Sequence, residues 1–275
     1  MFIIQPNPGF FNIGVHEIWQ YRDLYSMFVK RDLITQYKQT ILGPVWFLVQ
    51  PTLTTVLYCV VFGGFAGIST NGLPPALFYL AGIIPWQYFA DCLLKISSTF
   101  TANQAIFGKV YFPRIIVPLS IISSNLLRSG IQLVLFAIVY WYYVLNGMPL
   151  NLTVYLLSIP LLFGVLAGLA LGFGVLIASM TAKYRDLTIL FGFIVQLWMF
   201  ATPVIYPLSS LSVDQQALLA HNPVASIIET FRTVTLGVGT VNMNHMLYSI
   251  SSMLVLLLVG SMVFTKVQRS FMDTI

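Results

Sequence analysis

Charge is what this chain has least of. Only 8% of its 275 residues are Asp, Glu, Lys or Arg, while 58% are apolar, a ratio that leaves a soluble domain no solvating surface. The deficit is uneven. The 52 residues between Lys38 and Asp91, and the 54 between Arg128 and Lys183, contain no charged side chain. Uncharged stretches follow from Leu187 to Val213 and from Thr233 to Thr265. A helix crosses a hydrocarbon core with roughly 20 apolar residues, so each of the two longest stretches holds two spans and a turn.

Other absences narrow the chemistry. There are two cysteines, Cys59 and Cys92, with no Cys/His metal spacing around them, so both read as inert packing residues and no metal is expected. A phosphate-cradling loop needs G-x-x-x-x-G-K-[ST]. The nearest fragment, Gly108-Lys109-Val110, has Asn103 where the first glycine belongs and Val110 where the hydroxyl belongs. The chain is therefore not expected to hydrolyse ATP alone. No carboxylate occupies the middle of an apolar stretch, as proton- or sodium-coupled carriers usually require. A membrane enzyme needs an acid/base pair or metal ligands, yet Asp214, His221, Glu229 and His245 are scattered and His16 stands alone. Met1 to Phe10 carries no basic n-region, so no signal peptide is expected.

The fold expected is all-α and polytopic, with six spans near 45–66, 76–96, 115–145, 153–179, 188–205 and 246–265. Residues 1–44 form an amphipathic interface region, 45–265 the membrane domain and 266–275 a tail. With both termini inside, Arg22, Lys30, Arg31, Lys38, Lys95, Lys109, Arg114, Lys183, Arg185, Lys266 and Arg269 all fall on the cytoplasmic side. Only Arg232 is left outside, and Arg128 lies within the third span. The net charge of +5 thus reports topology and does not argue for a nucleic-acid partner. Residues 15–40 combine bulk at helical spacing with basic residues, as in a helix lying on the membrane face or docked on other protein. The long segment from Tyr206 to His245 is broken by prolines. Its helical pattern over 224–238, with Glu229 and Arg232 on the polar side, suggests a re-entrant or interfacial pair. The Asn151-Leu152-Thr153 sequon carries little weight.

Aromatic residues are plentiful, with 21 Phe, 14 Tyr and 5 Trp. Many suit interfacial belts, while Phe47, Tyr58, Trp198, Phe200 and Tyr206 are candidates to line a path where flat rings stack on sugar faces. Lys38, Lys109 and Arg114, with Arg128 deeper, are candidates to draw in an anionic lipid headgroup. Enforcing topology is the alternative role for each of these bases.

Several local strings occur together. They are Leu42-Gly43-Pro44-Val45-Trp46 with Pro51, Ile84-Pro85-Trp86-Gln87-Tyr88-Phe89, and Phe107 to Arg114 with Pro118-Leu119. Tyr184-Arg185-Asp186, Ala201-Thr202-Pro203-Val204-Ile205-Tyr206-Pro207, and Asn222-Pro223 with Phe231-Arg232 complete the set. In this order the chain resembles the permease subunits of ABC-type polysaccharide exporters over nearly its whole length. The resemblance implies a homodimer of six-span subunits that recruits two copies of a separate ATPase, with ATP and Mg bound there and no cofactor on this chain. It implies a bacterial inner-membrane location and a lipid-linked polysaccharide substrate, O-antigen ahead of capsule or teichoic acid. It makes Asn103, Lys109, Arg114, Lys183, Arg185 and Asp186 candidates for coupling to the ATPase. A lipid or drug exporter of the same architecture, or a membrane-embedded glycan-processing enzyme, are the alternatives.

Overall fold

In hydrocarbon every backbone N–H and C=O must find its partner within the chain, which leaves long uncharged segments the α-helix. The computed structural model describes residues 19–110, 112–149, 154–239 and 241–270, and these contain helices but no strands. Helix α1 (Arg22–Tyr37) precedes the first span, Gly43–Phe65. That span opens with a 3-10 turn at Gly43–Val45, continues as α2 (Trp46–Tyr58) and ends in a wider π-helical stretch, Cys59–Phe65. Gly43 sits at φ +52°, which only glycine adopts cheaply, and this explains its place in the Leu42-Gly43-Pro44 string.

Then follow α3 (Pro75–Ser97), the single-turn helices α4 (Thr99–Ala102) and α5 (Gln104–Phe107), and α6 (Ile116–Leu145). A 3-10 turn at Val154–Ser158 leads into α7 (Ile159–Thr181), followed by α8 (Leu187–Phe200), α9 (Val213–Leu219), α10 (Pro223–Leu236) and α11 (Met243–Ser270). Among the described residues, five segments are long and apolar enough to cross a membrane, and α8 is a shorter apolar helix. Five of the six expected spans are matched by long helices, and the fifth and the last differ in extent. The fifth was expected to reach residue 205, but α8 ends at Phe200 after 14 residues, about 21 Å of rise. Pro203 cannot donate an i→i−4 bond, and the backbone of 201–206 leaves the helix. The last helix runs past Thr265 to Ser270. Residues 1–18, Tyr111, the sequon and 271–275 lie outside the described residues.

Helix α3 is the central post. Of its most apolar window 78% is buried, against 17% for the first span and for α11, and it packs on α2, α6, α7, α8 and α10. Helices α7 and α11 meet through small residues. A Cβ on Gly172 would come within 2.9 Å of the Leu256 backbone, and one on Gly260 within 2.9 Å of the Gly172 carbonyl. Such contacts let two helix backbones approach where no hydrophobic drive operates between them. Helix α1 packs on α6, and its Tyr25 hydroxyl is bonded to the Ser123 hydroxyl. It is thus docked on protein, while Met27 and Ile34 remain exposed beside it.

Candidate functional site

Two ends of the bundle differ in charge, and the basic end carries most of the candidate residues. There Arg31 of α1 is paired with Asp32 at 2.8 Å and donates to Asn103 Oδ1 at 3.5 Å, at the junction of α4 and α5. Asn103 is itself buried and donates to the Thr99 carbonyl. On the other side of the same junction, Arg185 donates to Gln104 Oε1 at 3.0 Å. Asp186 accepts from the amide of Leu187 and so starts α8. Asn103, Arg185 and Asp186 are therefore drawn to one platform. Lys109, Lys183 and Lys38 are exposed.

Beneath the platform runs a file of phenylalanines. Ring centroids lie 5.7 Å apart for Phe28 and Phe112, 5.7 Å for Phe112 and Phe107, 6.0 Å for Phe107 and Phe100, and 5.0 Å for Phe100 and Phe264. The file joins α1, through the α4–α5 turns, to α11. The rings form one continuous packed contact between the α4–α5 turns and both helices. Arg114 belongs to this packing. It is 8% exposed, lies over the Phe107 ring and donates to the Gln268 carbonyl at 2.7 Å in the last turns of α11.

Arg128 is placed differently. Its Nη1 meets Asp91 at 2.6 Å and its Nη2 donates to Gln50 Oε1 at 2.7 Å, so α2, α3 and α6 are joined inside the apolar layer. It also lies 5.6 Å from the ring centre of Phe47, which is buried and edge-on to Tyr37. Next to this pair, Lys95 donates to Asn125 at 2.9 Å, and Gln132 reaches Gln87 at 3.4 Å.

At the far end the remaining aromatics gather around the end of α8. Trp198 is edge-on to Phe89 and Phe173, both at 5.3 Å, and to Trp86 at 6.4 Å. Tyr58 donates to the Met199 sulfur at 3.4 Å, which sets α2 beside α8. Tyr206 donates to the Phe200 carbonyl at 2.9 Å, and burial pushes its phenol above the ordinary range so that it stays a neutral donor. Phe200 itself is exposed. The five path candidates thus separate into Phe47 at the basic end and four residues at the other.

The non-helical stretch after α8 is held by side chains of α10. Asn222 caps α10 and donates to the Ala201 carbonyl and Thr202 hydroxyl, both at 2.9 Å. Arg232 was expected on the polar side of its helix, but it is 2% exposed. Its guanidinium pairs with Glu229 at 3.0 Å, donates to the carbonyls of Pro203 and Val204 at 2.9 and 3.2 Å, and lies over the Phe78 ring at 4.0 Å. The carbonyls freed where α8 stops need donors, and a guanidinium supplies several in one plane. Gly82 provides the space, since a Cβ there would meet the Val204 carbonyl at 2.7 Å. Phe231 of the same helix touches Phe136 and Phe163. Phe136 is nine residues from the end of α6, so α10 dips about 13 Å into the bundle.

The family model described as ABC-2 type transporter matches the chain over residues 23–236. The chain belongs to that family. Among curated relatives, an O-antigen export system permease protein RfbA from Myxococcus xanthus is 27% identical over 265 residues, covering 95% of this chain and 98% of the relative. A protein of the same name from Klebsiella pneumoniae is 26% identical, covering 91% and 94%. The polysialic acid transport protein KpsM of Escherichia coli is 21% identical, covering 74% and 77%. For this ABC-2 transporter, sequence reading overlooked Lys95, Gln50, Asn125 and the Asp91–Arg128 pairing. A signal existed: Asp91 and Lys95 are four apart on one helix, and Asn125, Arg128 and Gln132 share a stripe on another.

Proposed function

We propose that this chain is the transmembrane subunit of an ATP-driven exporter that moves a lipid-linked polysaccharide, with O-antigen first among the candidates, across the bacterial inner membrane. Family membership together with near full-length similarity to two O-antigen export permeases carries the reading. The basic end faces the cytoplasm, with both termini there, as the distribution of Lys and Arg favours. A separate nucleotide-binding protein hydrolyses ATP with Mg, and two copies of it act on two copies of this chain. The α4–α5 turns, with Asn103, Lys109, Lys183, Arg185 and Asp186 around them, receive the ATPase, and the phenylalanine file carries its stroke toward α1 and α11.

A long hydrated polymer cannot be enclosed and released in one alternation, so a path between two subunits is the reading that chemistry favours. The first span and α8 meet where Tyr58 bonds Met199, and they expose Leu53, Val56, Val60, Ile189, Phe193 and Leu197. They are the natural walls of that path, with Tyr58, Trp198, Phe200 and Tyr206 toward its far end. The deciding experiment removes the chain from its host and measures surface glycan, then purifies the tagged chain from that host and identifies any ATPase that accompanies it. Loss of surface glycan, and two copies of each subunit by native mass spectrometry, are expected. Normal surface glycan without the chain, or turnover of a lipid-linked sugar by the purified chain alone, overturns the proposal.

A further inference from the structure

A recess of about 430 Å³ opens at the basic end, lined by Gln36 and Thr40 after α1, by Trp46, Phe47 and Gln50 of the first span, by Lys95 of α3 and by Arg128 of α6. We propose that it binds the phosphoryl headgroup of a membrane lipid. As cargo, that headgroup is the diphosphate of a polyprenyl-linked glycan, an assignment that rests on the export reading above.

Depth is the first argument. Helix α1 crosses α6 at Ser123, where Tyr25 is bonded, and Arg128 is five residues farther along, about 7.5 Å deeper. Asp91 is six residues from the basic end of α3, about 9 Å. The recess therefore lies within about 9 Å of the basic end of α3 and of the α1 crossing, a depth that a lipid phosphate can reach.

Charge is the second argument. Asp91 is paired with Arg128 at 2.6 Å, and its side chain is 35% exposed against 12% for Arg128. Asp32 of α1 is taken by Arg31. Lys95 hydrogen-bonds to a neutral group, Asn125. Two cations thus share one carboxylate in the wall, and a cation in a medium of low dielectric draws an anion to itself. An ammonium has three donors, of which Asn125 takes one, and the guanidinium is held in a fixed plane by Asp91 and Gln50. Phosphoryl oxygens are the anions that such a pair recognises. Trp46, 44% exposed at the mouth, offers a ring face to whatever adjoins the phosphate.

The test uses the full chain in phosphatidylcholine nanodiscs, with Kd read by native mass spectrometry. Undecaprenyl diphosphate should bind at least tenfold more tightly than undecaprenol. Lys95→Gln should weaken the diphosphate by about tenfold, Lys95→Arg should restore it, and Asp91→Asn, which leaves the site more positive, should not weaken it. Melting temperatures of the variants separate binding from folding. Competition by phosphatidylglycerol at equal affinity would identify a resident bilayer lipid, and competition by inorganic pyrophosphate would show that the headgroup suffices. Either result upholds the phosphoryl chemistry and assigns its source. Equal affinity for diphosphate and undecaprenol, or a folded Lys95→Gln variant of unchanged affinity, overturns the proposal. Lost binding alongside intact export would sink this inference alone, and intact binding alongside normal glycan in cells lacking the chain would sink the export reading alone.

Discussion

Arg128 and Arg232 are each an arginine among apolar helices paired with one acid, yet their surroundings give them opposite roles. Arg232 is enclosed. Glu229, two carbonyls and the face of Phe78 surround it, and Gly82 leaves room where a Cβ would meet the guanidinium at 3.0 Å. Arg128 faces a recess, its acid is one-third exposed, and a second cation lies on the same wall. A closed shell holds a charge in one place and admits no ligand, which suits a lock. An open shell with surplus charge leaves something for a ligand to do.

The contrast can be broken by mutation. Arg232→Met leaves Glu229 buried without its partner and strips the donors from the 203–204 carbonyls. It should destabilise the protein by about 3–5 kcal/mol, seen as lost yield and a lower melting temperature in detergent. Gly172→Leu, in the packed α7–α11 contact, should cost about 1–3 kcal/mol because the Leu256 backbone cannot retreat. Arg128→Gln should cost less than Arg232→Met, on the order of 1 kcal/mol, since water entering the recess can solvate Asp91. An equal loss for the two arginine variants would remove the distinction between lock and site. At the exposed basic platform, Lys109→Glu and Arg185→Glu should leave the melting temperature unchanged while lowering surface glycan. Unchanged surface glycan in both would count against the platform as the ATPase contact.

Much of the scaffold was legible because apolar run length and turn chemistry are local. The first four spans and the last follow from uncharged stretches, and α10 follows from the 3.6 period after Asn222-Pro223. The misreadings concern relations between helices. Extending the fifth span to 205 followed hydropathy through Thr202-Pro203-Val204, whereas the carbonyls there are satisfied from α10, 28 and 29 residues away. Placing Arg232 on a polar face followed its charge, whereas its position on α10 turns it toward α3. The Gly164, Gly168 and Gly172 ladder was visible at four-residue spacing, but only the packed structure shows that the last two face α11. Arg114, read as a base for an anionic headgroup or for the ATPase, is fastened to the last turns of α11, a contact that spans 154 residues of chain.

By itself the sequence determined where this protein is apolar, how many times it is long enough to cross a bilayer, and that its Lys and Arg cluster at one end, because each is a property of a short window of chain. The tertiary structure alone decided that Asp91 serves Arg128, that Lys95 is left with a neutral partner, and that Arg232 is sealed. Those outcomes depend on how helices rotate against one another, and rotation is set by the packing of glycines and rings distributed over the whole chain.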